Sequence, residues 1–517
     1  MADQEPNSAA EPETPPVNGR KKRMPRSFYN TTSMLGFGLA AVTFGLIIFL
    51  FVLDFFSGQS SPYMGLLTFV AMPPILIFGL ILGFVGMWRM GRRLRRGEPE
   101  GELPRIDFNN KRHRRVFTGV AFGGFVFMAI SAFGSYQAYE YTESVEFCGE
   151  VCHDVMKPEY VAYQNSPHAR VTCVQCHIGS GATWYVKSKI SGAYQVYSTI
   201  FNKYSKPIPT PVANLRPAKE TCETCHWPSK FHAQKLVDRT YYAADEENTP
   251  TEMSMLMKIG GTTHGSSEGI HAHMYLDHEI YYIASDPQRQ NIPYVEMRDK
   301  SGKVTIYRST EEKITDEQIR KGKKRVVDCI DCHNRPSHQY PPPQKTVNAA
   351  LANGAIDIGL PEIKRLAVEL LEKPYKTEKE AVASISKEAL AFYNENYADA
   401  AKQKAKELQQ AIAQIQRIYK TTYFPEMRTN WRAFPSNTDH MYAKGCFRCH
   451  DDKHVSEDGK RKISSDCNSC HTILSQGTGA NAKINRNGLT FQHPVDIGEE
   501  WKTTLCKDCH VQEPEEP

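Results

Sequence analysis

Six copies of Cys-x-x-Cys-His punctuate the 517-residue chain, starting at Cys173, Cys222, Cys329, Cys446, Cys467 and Cys506. With 14 cysteines and 18 histidines present, composition alone yields roughly 0.01 copies. Two thiols at this spacing can bond to the two vinyl groups of one haem, and the next residue delivers an imidazole to the iron. The sets are Cys173/Cys176/His177, Cys222/Cys225/His226, Cys329/Cys332/His333, Cys446/Cys449/His450, Cys467/Cys470/His471 and Cys506/Cys509/His510. Cys-x-x-Cys pairs also make zinc and dithiol sites, but neither chemistry needs a histidine after every pair. A seventh pair, in "EFCGEVCHDVMKPEY" (146–160), has three residues rather than two between Cys148 and Cys152. His153 follows it, and these two thiols complete the 14, leaving none for a disulfide. The expectation is seven covalently bound haem c groups.

Each six-coordinate haem iron needs a second ligand, usually His or Met. Eleven histidines lie outside the motifs. In the C-terminal stretch three motifs match three spare histidines, His440, His454 and His493, which are read as its ligand set with the pairing open. Upstream, His168, His232, His264, His271, His273, His278 and His338 compete for at most four positions, so two or more are bystanders; His271 and His273 are kept as candidates. At the first motif, His153 and Met156 are three residues apart and share one face if the segment is helical. They then compete for one side of the iron, and the opposite side is open or weakly ligated. Lys157, Glu159, Tyr160 and Tyr163 follow at once. Lys157, Tyr160 and Tyr163 are candidate groups for a quinol, which releases two protons with two electrons; equally, they are anchors at a membrane surface.

Three segments must position this series. Residues 33–56, 63–88 and 116–135 are long apolar runs of the length that crosses a bilayer core, ~20 residues each. A cleavable leader is disfavoured for the first by its long polar N-terminal flank and by the lack of an Ala-x-Ala site. Five basic residues between Arg20 and Arg26 precede the first run, and residues 89–115 hold ten Lys/Arg against four acids. By the positive-inside rule both face the cytoplasm, which removes His113 from the ligand search and puts everything after residue 136 in the periplasm of a multi-pass inner-membrane protein. The formal charge of +5 says little about nucleic acid, because its densest basic run, "RRLRR" (92–96), is a topology signal.

The domain reading is a disordered cytoplasmic tail over 1–32, a three-helix anchor over 33–136, a tetrahaem domain over 137–345, a helical spacer over 346–425 and a trihaem domain over 426–517. The spacer carries apolar residues at helical spacing, a break at Pro374 and a Thr377/Glu380 capping pattern; it is either a packed spacer or a dimer contact, the former being favoured. Around "DKSGK", pieces such as "HEIYYIAS" and "KVTIYRS" imply a hairpin-bearing insertion within 240–310. The fold class is a membrane-anchored multihaem cytochrome c, with three transmembrane helices and a mostly α/irregular periplasmic haem domain with few strands.

A span followed by a haem motif with a nearby Met, then "MKPEYVAYQNSPHARVTCVQCH", "CETCHWP" and "CIDCHNRPSH", resembles the NapC/NirT/NrfH quinol dehydrogenases over residues 116–340. The two preceding spans, the spacer and the three-haem extension are similar to the heptahaem inner-membrane cytochromes of metal-reducing bacteria. The resemblance implies electron transfer from membrane menaquinol or ubiquinol to a periplasmic cytochrome or reductase, a quinol:cytochrome c oxidoreductase activity. It also implies that His338 is a distal ligand to the second haem and that His168 occupies a distal position. The family's first haem has Cys-x-x-Cys-His-x-Met, from which this chain departs in the extra residue and in the place of Met156. The alternative is a terminal reductase of nitrite or hydroxylamine, which needs a coordination vacancy far from the membrane. A haem-based sensor ranks last, for want of a signalling segment.

Overall fold

A computed structural model describes residues 25–57, 67–98, 107–151, 153–179, 182–212, 215–227, 231, 234–260, 269–274, 278–299 and 301–511. The tail read over 1–32 lies outside the described residues up to residue 24, as do Cys152, His232 and His264. The chain divides into two compact units, Met1–Tyr141 with Ser180–Thr183, and Thr142–Gly179 with Trp184–Pro517.

The first unit carries α1 (Thr31–Ser57), α2 (Met72–Arg95) and most of α3 (Lys111–Glu143). Among the described residues these three helices are long and apolar enough to cross a membrane. Asn30 starts α1: its side-chain oxygen accepts from the Ser33 amide at 2.9 Å. Pro73 and Pro74 sit in the first turn of α2, where the missing N–H costs nothing, and Arg92, Arg93 and Arg95 occupy its last turn, where the helix dipole favours cations. α1 and α2 pack backbone to backbone through glycines. A Cβ on Gly36 would stand 2.3 Å from the Gly83 nitrogen, so this contact requires glycine.

The second unit opens with a π turn over Phe147–Val151, followed by α4 (His153–Gln164), α5 (Cys173–His177), α6 (Ala182–Ile200) and α7 (Ala218–Cys222). Among the described residues nine strands follow: β1 (Lys235–Tyr242), β2 (Pro250–Met257), β3 (His278–Ile283), β4 (Tyr294–Asp299), β5 (Val304–Ser309), β6 (Arg325–Val326), β7 (His454–Ser456), β8 (His471–Gly477) and β9 (Lys483–Leu489). They form two antiparallel sheets, β1-β2-β8-β9 and β6-β3-β4-β5-β7. Each sheet therefore joins strands from 235–326 to strands from 454–489, and the segments read as tetrahaem and trihaem are stitched together twice.

The main hydrophobic core lies in the spacer. Helices Ile363–Glu372, Glu378–Asn396 and Ala405–Thr422 bury Ile363, Leu370, Leu371, Ile385, Tyr393 and Ile415 almost completely. Thr377 caps the second of these by accepting from the Glu380 amide at 3.1 Å. Val155 and Ala162 of α4 belong to the same core, so the helix that follows the first motif rests on the spacer.

Candidate functional site

Within a single helical turn, residues i, i+3 and i+4 project from one face, which is how Cys-x-x-Cys-His presents two thiols and an imidazole together. Three of the turns are fixed by the residue just before them. Gln175 takes the Thr172 amide at 3.0 Å, the Asp328 carboxylate takes the Cys329 amide at 2.6 Å, and the Asp466 carboxylate takes the Asn468 amide at 2.8 Å. Thiols of consecutive motifs interact with one another in chain order: Cys148 with Cys173, Cys176 with Cys222, Cys222 with Cys329, Cys332 with Cys446, Cys446 with Cys470, and Cys467 with Cys506. Each motif thus has a thiol near one of the next motif in the chain.

The thiols are not equally enclosed. Cys225, Cys467 and Cys509 are exposed, whereas the other described thiols are partly covered. Cys225 and Cys509 are each the second thiol of a short turn, the first just past α7 and the other in the C-terminal helix Cys506–His510. Both stay within their motif turns: the His226 amide donates to the Cys222 carbonyl at 2.8 Å, and Cys509 interacts with Cys506. The spacing that offers two thiols to one haem is therefore kept, and the thioethers at Cys225 and Cys509 would lie on the solvent side of their sites.

Six motif histidines face six histidines from elsewhere. The ring centres are 6.2 Å apart for His177 and His338, 5.9 Å for His226 and His168, and 6.4 Å for His333 and His271. They are 5.8 Å apart for His450 and His273, 6.3 Å for His471 and His440, and 6.0 Å for His510 and His493. A metal–imidazole bond is ~2 Å long, so two rings that ligate one ion from opposite sides stand about 6 Å apart. The tautomers fit as well. Backbone carbonyls hold the Nδ1 atoms of His338 (Glu159, 3.0 Å), His271 (Ile259, 3.1 Å), His273 (Ile270, 2.6 Å), His450 (Ser464, 2.9 Å) and His493 (Val495, 2.8 Å), which leaves Nε2 with its lone pair for a metal. Burial holds His271, His273, His338, His440 and His471 below the usual histidine pKa, hence neutral. Among the described residues no three His, Cys, Asp or Glu converge as a chelate for a lone ion. Pairs across a planar group, not tetrahedral clusters, are the organising unit, and the residues fit haem c.

His454 does not join this set. It is 2% exposed, and both ring nitrogens are used: Nδ1 bonds the Asp451 carboxylate at 2.8 Å and Nε2 meets the Ile292 carbonyl at 2.6 Å. Burial opposes its charge, but the carboxylate and carbonyl outweigh burial and raise its pKa. The reading of His440, His454 and His493 as the C-terminal ligand set is thus corrected: His273, far upstream, faces His450 instead. The sheets explain why. β2 pairs with β8, Lys258 donates its amide to the Cys470 carbonyl, and the 3-10 turn Ile270–Met274 that carries His271 and His273 hangs from Lys258 and Ile259. His278 starts β3 outside any of the pairs.

The family model for the N-terminal region of the NapC/NirT cytochrome c family matches residues 110–208. The chain is 45% identical to the cytochrome c-type protein ImcH of Geobacter sulfurreducens over 485 residues, 93% of this chain and 95% of that one. The chain belongs to the NapC/NirT cytochrome c family. It is also 28% identical to the cytochrome c-type protein NrfH of Wolinella succinogenes over 114 residues, 22% of this chain and 62% of that protein. No solved structure matches. As a member of the family the protein is a membrane-anchored electron-transfer cytochrome with covalently bound haem c.

In this NapC/NirT chain the irregular first motif has a structural counterpart. Cys148 lies in the π turn Phe147–Val151, and α4 begins at His153. A π turn holds one more residue than an α turn, so it takes up the extra residue of Cys-x-x-x-Cys-His without rotating α4. Gly149 is needed there: a Cβ would meet the Tyr160 ring at 2.3 Å. Tyr160 packs on that backbone and donates its hydroxyl to Glu150 at 3.0 Å; burial and this carboxylate both raise its pKa. The Lys157 ammonium pairs with Glu378 of the spacer at 2.5 Å. Glu159 forms a buried pair with Arg335 at 2.7 Å beside His338. Tyr163 is 7% exposed and its hydroxyl donates to the Ala169 carbonyl at 2.8 Å, so its place among the quinol candidates is corrected: it is an internal strut. Met156 lies in α4 three positions after His153; nothing is described of the His153 side chain or of Cys152.

Sequence reasoning passed over one cluster. The buried Arg448, inside the fifth motif, donates to the carbonyls of Gly445 (2.9 Å), Arg289 (2.9 Å) and Asp331 (2.7 Å). Asp331, inside the fourth motif, accepts from Arg289, Arg325 and Tyr282. These side chains lock the fourth motif to the fifth, and Arg448 interacts with both Cys332 and Cys449. The available signal was opposite charge at the same place in two consecutive motifs.

Proposed function

We propose that the chain holds seven haem c groups and carries electrons from membrane quinol, menaquinol or ubiquinol, to a periplasmic cytochrome or reductase, with its N-terminus in the cytoplasm. The observation that carries this reading is the set of six His–His pairs at 5.8–6.4 Å, strung in chain order behind a first motif of different design. Haem c supplies one-electron redox chemistry when bound. The protein's own residues supply everything else. His177/His338, His226/His168, His333/His271, His450/His273, His471/His440 and His510/His493 would hold six of the haem groups through their imidazoles, and Cys148/Cys152 and the six regular pairs would hold the seven covalently. His153 or Met156 serves the first site.

Beside that first site, Glu150, Tyr160 and Lys157 are the groups we assign to the quinol. Glu150 already accepts a hydrogen bond from Tyr160, and a carboxylate in that position can take a proton from a quinol hydroxyl as its electrons leave. Lys157, held by Glu378, places a cation where the ring oxygens gain negative character. Each quinol oxidised yields two electrons and two protons, the protons being released to the periplasm. The terminal-reductase alternative needs an open position far from the membrane, and two imidazoles face each other at all six later motifs.

Intact-mass measurement of the purified protein should show seven haem increments. Anaerobic mixing with a menaquinol analogue should reduce the haem bands, and Lys157→Ala or Glu150→Gln should slow that reduction at least tenfold while dithionite still reduces every haem. Absence of quinol reduction in the wild type, or rapid turnover of nitrite or hydroxylamine, would refute the assignment.

A further inference from the structure

α6 carries an apolar stripe that no described residue of the second unit covers. Ile190 is 69% exposed, Tyr194 66%, Tyr197 46% and Phe201, just past the helix, 59%. Their spacing of four, three and four residues puts them on one helical face. Tyr197 touches both Tyr194 and Phe201, with ring centres 6.3 and 4.8 Å apart, so the stripe is one continuous aromatic surface. Its flanks are cationic: residues 160–219 contain Arg170, Lys187, Lys189, Lys203, Lys206, Arg216 and Lys219 and not one Asp or Glu. The helix is also tied to the end of a membrane-crossing element. Lys189 donates to Glu143 at 2.6 Å and to Thr142 at 3.2 Å, and Glu143 is the last residue of α3.

We propose that α6 is an interfacial helix, lying along the bilayer with Ile190, Tyr194, Tyr197 and Phe201 at the boundary of headgroups and acyl chains and with Lys187 and the flanking Lys203 and Lys206 on anionic phospholipid headgroups. Three features select lipid as the occupant. Tyrosine-rich stripes favour the membrane–water boundary, where the ring is buried and the hydroxyl stays wet. An acid-free run with flanking lysines matches a negatively charged surface. The Lys189–Glu143 tie holds α6 at the end of the span, within reach of the surface that α3 leaves. The inference rests on the membrane anchor alone and does not depend on the quinol assignment.

The test uses the full haem-loaded chain in liposomes of phosphatidylethanolamine and phosphatidylglycerol, with a photoreactive benzophenone side chain in place of Tyr197. Phe125 of α3 serves as the lipid-facing control and Ile484 of β9 as the aqueous one. On irradiation, mass spectrometry should find phospholipid adducts at positions 197 and 125 and none at 484. Replacing phosphatidylglycerol with phosphatidylcholine should lower the yield at 197 several-fold and leave 125 unchanged. An unchanged haem spectrum verifies folding of each variant. Adduct at 125 with none at 197, or cross-linking of 197 to a second copy or to another protein, would overturn the proposal, as would a yield at 197 indifferent to lipid charge.

Discussion

His273 and His454 separate ligation from structural support, and two substitutions test the difference. His273 faces His450 at 5.8 Å, so His273→Ala removes one of two axial groups from the fifth site and nothing from the others. A single site should become high-spin in the ferric protein, seen as a new signal near the high-spin position in electron paramagnetic resonance and as a partial loss of low-spin intensity. His454→Ala should leave the low-spin signals intact and act on stability. It removes a 2.8 Å bond to Asp451 and a 2.6 Å bond to the Ile292 carbonyl from a side chain that is 2% exposed. Breaking a buried charge pair by deleting one partner costs about 3–5 kcal/mol. Because β7 begins at His454 and pairs with β5, the loss should be read in denaturant unfolding followed at the haem band. The reasoning fails if His454→Ala generates a high-spin site or if His273→Ala does not.

Gly149→Ala forces a Cβ to within 2.3 Å of the Tyr160 ring, an overpacking of about 1–3 kcal/mol that must distort the π turn; reduction by quinol should fall while the six later haems keep their spectra, read by stopped-flow absorbance. Arg448→Met strands the carbonyls of Gly445, Arg289 and Asp331 at about 1–3 kcal/mol each and removes a cation beside Cys332 and Cys449. Spectropotentiometry should show two of the haem potentials moving negative, since a nearby positive charge favours the reduced form. Lys364 is 5% exposed, its ammonium donates to the Gln344 carbonyl at 2.8 Å, and burial lowers its pKa from 10.5 to about 7. The unfolded chain therefore binds more protons between those values, so stability should rise with pH across that window by about 1.4 kcal/mol per unit. Lys364→Met should abolish that slope and stabilise the protein at neutral pH, measured by denaturant midpoints from pH 7 to 10.

The features legible in the chain alone are those encoded at short range. Haem attachment depends on residues three and four apart, a membrane span on an uninterrupted apolar run, and the spacer helices on a 3.6-residue period with Thr377 at its cap. The strands were legible only in part: "HEIYYI" and "VTIYRS" became β3 and β5, but the three-residue β7 and the mostly polar β8 and β9 gave no alternation to find. The axial partners were out of reach for a related reason. A second ligand need only arrive in space, and counting spare histidines within one segment misled at His454 because β2–β8 pairing carries His273 across from the other segment. Which thiols face solvent was equally hidden, since Cys225 and Cys509 sit in motifs identical in spacing to those of their partly covered counterparts. The spacing of Cys148 and Cys152 announced an irregular site, whereas the π turn that absorbs the extra residue, the Tyr160 ring that requires Gly149, and the Asp331–Arg448 lock between motifs exist only once distant backbones are packed together. Covalent chemistry is local in sequence; coordination and electrostatics are local only in the folded chain.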